Sequence, residues 1–326
     1  MPMVKANGVQ LNVMRVPASA RADGRGRPVV MLHGIVIDNL SSFFYTLAQQ
    51  VSVDHEVVMY DLRGHGRSER PVTGYGLDDH VADLGGLLDT LGLTDPVILL
   101  GNSFGGGVAL AYAMANPERV AGLVLIEAHF PVPGGAAAMS AMLDRIGELA
   151  RQGLAIEPQL RQLRRVPPGS LPALHEVGLS ADQVAFVTYW IETTPARKLV
   201  QMARTADGLV NGTTLVEDVL GEVPLADSDL AAVTCPTLLV YGEQSDIVER
   251  AHQLAGVLPR AELTVLPDVD HSVLMGATEA LRDRLLPWLA QRRLAAGSRA
   301  AVAVAGGGRA GFAADGPGEA PAGSAS

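Results

Sequence analysis

The sequence predicts an α/β fold: a mostly parallel sheet with helices on both faces and an inserted helical cap. Three observations carry this. Continuous apolar runs at residues 28–32 (PVVML), 56–60 (EVVMY), 96–100 (PVILL) and 120–126 (VAGLVLI) are separated by stretches of helical spacing. Strands that are apolar throughout belong to parallel sheets covered on both sides. The alternation stops at about residue 131, shows no convincing strand until about residue 232, and then resumes with 237–241 (TLLVY). These boundaries divide the chain into a first core part (1–130), a cap (131–232), a second core part (233–295) and a tail (296–326).

Asn7-Gly8 between Val4 and the alternating Val9, Leu11 and Val13 predicts a hairpin with a tight type I′ turn. Residues 40–51 are expected to be helical, with Ser41-Ser42 near the start. Residues 77–91 place Val81, Leu84, Leu88 and Leu91 on one helix face. A helix over 104–115 is closed by Asn116-Pro117. In the cap, Met139, Met142, Leu143 and Ile146 follow helical spacing, as do Phe186, Tyr189 and Trp190. Beyond the cap, a helix is expected over 248–258, a strand over 262–266 and a helix over 278–293. The Ala/Gly/Ser/Pro tail has too few large apolar side chains to offset its ordering entropy and is expected to be disordered.

The 326 residues carry 25 Lys+Arg against 35 Asp+Glu, a net charge of −10, which argues against broad nucleic-acid binding and against a polybasic membrane surface. One cysteine, Cys235, excludes a scaffold stapled by internal disulfides. No apolar stretch is long enough to span a bilayer and the first residues do not resemble an export signal, so a cytoplasmic protein is expected.

The chemistry-bearing pattern is Gly101-Asn102-Ser103-Phe104-Gly105, a G-x-S-x-G directly after one predicted strand and directly before a helix. A serine on such a turn projects its hydroxyl above the sheet edge. The small flanking residues relieve backbone crowding, and the helix N-terminus offers free N–H groups where negative charge develops. Ser103 is therefore the candidate nucleophile. Of the eight histidines, His271 follows the last predicted strand and lies at the same sheet edge, making it the candidate general base. Asp246, just past the preceding strand, is the candidate orienting acid, with Glu243 and Glu127 as rivals; Glu127 ends the fourth parallel-strand run. The amides of Phe104 and Ile35 are the expected oxyanion donors. His33 is expected to shape the loop after the first parallel strand and, with Met142, Phe186, Tyr189 and Trp190, is a candidate substrate contact.

These segments, together with His33-Gly34, residues 61–68 (DLRGHGRS) and Asp270-His271, resemble the α/β-hydrolase fold family over roughly residues 4–293. The resemblance implies that Ser103, Asp246 and His271 form a triad, that the inserted helices form a cap, and that 61–68 is architectural. No metal and no organic cofactor is implied. Members with a carboxylate nucleophile, such as haloalkane dehalogenases and epoxide hydrolases, do not fit a serine at 103. Carbon–carbon hydrolases of the family usually carry Trp after the catalytic His, where this chain has Ser272. The leading expectation is hydrolysis of a carboxylic ester, thioester or lactone of a largely apolar small molecule through an acyl-enzyme. The alternative is lyase, cyclase or carbon–carbon hydrolase chemistry on a biosynthetic intermediate. Arg161, Arg164 and Arg165 form a small basic cluster that fits either a solvated helix face or an acidic partner such as an acyl carrier protein.

Overall fold

The computed structural model describes residues 2–19, 26–133, 135–155 and 196–292. Among them, eight strands form one sheet in the order β1-β2-β4-β3-β5-β6-β7-β8. The first hairpin pairs β1 (Met3–Ala6) with β2 (Val9–Val16), and both residues of its Asn7-Gly8 turn adopt positive φ, 47° and 82°. That is the backbone state a two-residue I′ turn demands. β2 also runs antiparallel to β4 (Val57–Tyr60). From β4 onward every pairing is parallel: β3 (Val29–Leu32), β5 (Val97–Asn102), β6 (Val120–Ile126), β7 (Thr237–Gly242) and β8 (Ala261–Leu266). The sheet is thus mostly parallel with an antiparallel edge.

Alternate side chains of the buried strands feed two cores. One contains Val30, Leu32, Leu99 and Leu125, packed with α3 (Leu77–Thr90) and α4 (Phe104–Ala115). The other contains Met31, Leu100, Val124 and Val240, packed with α1 (Ser41–Phe43), α2 (Gln49–Val51) and the carboxyl-terminal helices α10 (Val273–Gly276) and α11 (Thr278–Ala290). A π-helical turn, Phe44–Ala48, separates α1 from α2, so the helix expected over 40–51 is interrupted.

Between β6 and β7 the described residues contain helices only: α5 (Ala136–Ala155), α6 (Ala196–Val210), α7 (Leu215–Leu220) and α8 (Asp227–Leu230). β6 and β7 are neighbours in the sheet, so this whole stretch is an excursion from one strand edge back to the next. It is tied to the core by a backbone bond from Thr214 N–H to Val72 O (2.9 Å) and by Tyr75 N–H to Asp218 Oδ2 (2.8 Å). Phe186, Tyr189, Trp190, the arginine cluster at 161, 164 and 165, and the tail all lie outside the described residues. After β7, α9 (Val248–Val257) leads into β8. No helix among the described residues is long and apolar enough to cross a membrane.

Candidate active site

The turn between β5 and α4 holds Ser103 at φ 51°, ψ −122°. A non-glycine residue there is strained, and the surrounding packing holds it in place. Glycines make the close approach possible. A Cβ on Gly105 would lie 2.3 Å from Leu32 O, and one on Gly101 would lie 2.4 Å from Gly105 O. The backbone carbonyl of Ser103 accepts the N–H of Gly106 (2.9 Å) and of His129 (2.9 Å), locking the turn to its own helix and to the end of β6.

The hydroxyl of Ser103 lies 3.2 Å from His271 Nε2. His271 comes from the loop after β8, 168 residues away, and its side chain is 41% exposed. Its Nδ1 lies 2.9 Å from Glu127 Oε2, on a side chain with no exposed surface. An ionised carboxylate only accepts, so Nδ1 carries the proton and Nε2 is left to accept from the serine hydroxyl. Glu127 is the first residue past β6 and takes φ 49°, turning its side chain inward under the imidazole. Two further donors converge on the same carboxylate: Gly242 N–H to Oε1 and Ser245 Oγ–H to Oε2, both at 2.5 Å. A buried carboxylate that meets three donors recovers much of the hydration it gave up.

The carboxylate that meets His271 is thus Glu127 and not the expected Asp246. Asp246 makes no hydrogen bond to His271 among the described residues; it is exposed, while its neighbours Ser245 and Ile247 are buried. The turn after β7 presents Ser245 to the inside and Asp246 to solvent, and Glu127 occupies the inner place. Glu243 also stays outside, where it accepts Asp268 N–H at 3.2 Å.

The loop after β3 supplies the other expected donor. Val36 N–H is committed to His65 Nε2 (2.7 Å) and Gly34 N–H to Asp38 Oδ2 (2.7 Å). Among the described residues, the Ile35 and Phe104 amides have no such internal acceptor, which leaves these two N–H groups for an oxyanion.

His33 is fully buried and both its ring nitrogens are occupied, Nδ1 by Gly34 O (2.7 Å) and Nε2 by Leu62 N–H (2.9 Å). It braces the loop and does not reach substrate space, which corrects its place among the substrate contacts. Burial holds the neighbouring His65 at a pKa of about 3, so its imidazole stays neutral and keeps accepting from Val36. Arg63 of the 61–68 segment forms a forked pair with buried Asp83, at 2.7 and 2.5 Å, and is structural.

A cavity of about 210 Å³ opens beside Phe104, walled by Phe130, Met139, Val219, Leu220 and Pro224. Met142, expected at substrate, is not part of that wall and packs against the core, while Met139 three residues earlier contributes to both the core and the wall.

Residues 27–278 match the family model of the alpha/beta hydrolase fold. The chain belongs to the α/β-hydrolase fold family. It is an enzyme of that family, and its relatives differ in the reactions they are named for. The chain is 29% identical over 280 residues to a non-heme chloroperoxidase of Streptomyces lividans, covering 81% of this chain and 92% of that one. It is 29% identical over 254 residues to a 2-hydroxymuconate semialdehyde hydrolase of Pseudomonas putida, covering 76% and 82%. Among solved structures, Est816, described as an N-acyl homoserine lactone degrading enzyme, is 26% identical with a TM-score of 0.54, covering 87% of this hydrolase and all of that chain. A thermophilic esterase from Thermogutta terrifontis superposes with a TM-score of 0.62 at 24% identity, a likeness of fold.

Proposed function

We propose that this hydrolase cleaves a carboxylic ester, thioester or lactone of a small molecule through an acyl-enzyme on Ser103. The observation that carries the reading is the continuous relay from Ser103 Oγ to His271 Nε2 (3.2 Å) and from His271 Nδ1 to Glu127 Oε2 (2.9 Å). In the first step His271 Nε2 removes the hydroxyl proton as the serine oxygen adds to the carbonyl carbon. Glu127 holds the imidazole tautomer and stabilises the cation that forms. The amides of Phe104 and Ile35 stabilise the tetrahedral oxyanion. The imidazolium then protonates the leaving oxygen or sulfur as the acyl–heteroatom bond breaks. Water, deprotonated by the same imidazole, releases the acid and restores the serine.

The similarity to a lactone-degrading enzyme supports an ester or lactone carbonyl as the target, and Ser272 after His271 sets the chain apart from the usual carbon–carbon hydrolase pattern. The test combines a fluorophosphonate probe with short-chain nitrophenyl esters. Labelling confined to Ser103 and ester turnover, both abolished in Ser103→Ala, are expected. Ester turnover that survives Ser103→Ala at the original rate would overturn the covalent scheme.

A further inference from the structure

The cavity beside Phe104 holds a cation that acyl transfer does not use. Arg250 stands in the first turn of α9 and contributes to the wall of this otherwise largely apolar space. Its Nη1 lies 3.4 Å from each ring nitrogen of His129. Burial, reinforced by Arg250 itself, lowers the pKa of His129 to about 4, so the ring facing the guanidinium is neutral. Among the described residues no carboxylate forms an ion pair with Arg250. Asp246, four residues earlier and exposed, acts on it only through space. Glu222, the acidic residue of the cavity wall, is bonded to Leu77 N–H and is not among the charges acting on Arg250. A half-buried guanidinium with unspent donors in an apolar wall is a strong site for a planar anion, because it matches two carboxylate oxygens at once.

The placement ties this cation to the reacting centre. His129 N–H bonds the backbone carbonyl of Ser103, and Phe104, whose amide follows the nucleophile, lines the same cavity as the His129 ring. Phe104, next to Ser103 in the chain, and Arg250 thus border one space of about 210 Å³.

We propose that Arg250 is a specificity-determining residue: the portion of the substrate that occupies this cavity is short and ends in a carboxylate, held by the Arg250 guanidinium. The bond cut is that of the ester or lactone hydrolysis proposed above; recognition of the anion is tested separately from it.

The experiment uses full-length Ser103→Ala protein, which leaves an ester ligand intact, and two probes, monomethyl glutarate and dimethyl glutarate, titrated by ligand-observed NMR. The monoanion is expected to bind at least tenfold more tightly than the neutral diester. Adding Arg250→Gln is expected to remove that preference, and Arg250→Lys to retain part of it, since charge survives without the planar fork. Equal affinity for the two probes, binding of neither, or a preference that survives Arg250→Gln overturns the proposal. The comparison of probes within Ser103→Ala decides even if an Arg250 variant fails to fold. Fluorophosphonate labelling of the wild type reports on the hydrolase reading alone, so failure of one is distinguishable from failure of the other.

Discussion

His271 Nδ1 lies 2.9 Å from Glu127 Oε2, a partner 144 residues away at the end of the neighbouring strand β6. The carboxylate beneath the imidazole thus comes from the strand next to the one that carries Ser103, and the acid that follows β7 faces water. Exchanging Glu127 for Gln puts an amide N–H within reach of Nδ1 and favours the wrong tautomer. A fall in kcat of about 10⁴-fold is expected, as for the loss of an orienting carboxylate in other serine hydrolases. Asp246→Asn, by contrast, leaves kcat on a small nitrophenyl ester near that of the wild type. Steady-state kinetics on both variants check the assignment, and the reverse ranking would return the role to Asp246.

Ser245 acts one step further out. Its hydroxyl donates to the same Glu127 oxygen that His271 uses, at 2.5 Å. A hydrogen bond to a charged group contributes about 1.5–3 kcal/mol, so Ser245→Ala should cost roughly one to two powers of ten in kcat. KM should change little, because Ser245 has no place in the cavity wall. Ser245→Thr, which keeps the donor, should recover part of the loss. A kcat unchanged in Ser245→Ala would show that Gly242 N–H alone positions the carboxylate.

The loop behind the proposed oxyanion donor carries its own acid limit. His65 accepts Val36 N–H through Nε2, and burial lowers its pKa from the ordinary 6.5 to about 3. The unfolded chain therefore binds a proton at this site over a range where the folded chain does not. Stability is expected to fall as pH drops from about 6.5 toward 3, by about 1.4 kcal/mol per pH unit from this group. Denaturant melts across that range in the wild type and in His65→Asn, which still offers an acceptor but does not titrate, should show a shallower slope in the variant.

Gly105 permits a close backbone approach beside Ser103. A methyl there would sit 2.3 Å from Leu32 O and 2.4 Å from His33 O, both rigid backbone atoms. Gly105→Ala is expected to displace the start of α4 and with it the Phe104 amide, abolishing fluorophosphonate labelling of Ser103 and lowering the melting temperature. By comparison, Gly256→Ala, with nothing within 4 Å of the new carbon, should be tolerated.

The elements readable from the chain were those whose signal is local. Asn7-Gly8 dictates its turn by backbone conformation, and the G-x-S-x-G between strand and helix dictates the placement of Ser103. The helical stretch between β6 and β7 was marked by a lost strand rhythm. The acid was not local in this sense. Glu127 and Asp246 both follow a parallel strand at the same edge, and only the direction of the turn after each strand separates them. That direction depends on a positive φ at a glutamate, which its side chain does not announce. The one available signal was that Glu127 is the first charged residue after an otherwise apolar strand, in the strand next to that of Ser103. The exchange of Met142 for Met139 has the same origin: spacing places both near one helix face, and only packing decides which meets the cavity. The break in the helix at Phe44–Ala48 left no composition signal at all.

Placing Glu127 ahead of the cap has a consequence for how the molecule divides its labour. The proposed attacking oxygen, its orienting carboxylate and both oxyanion amides are complete by residue 127, and the return of one imidazole after β8 finishes the set. The helices α5 to α8 can then lengthen, shorten or change their lining without moving an atom of this set, so what is cut and what is admitted become separately adjustable properties of one chain.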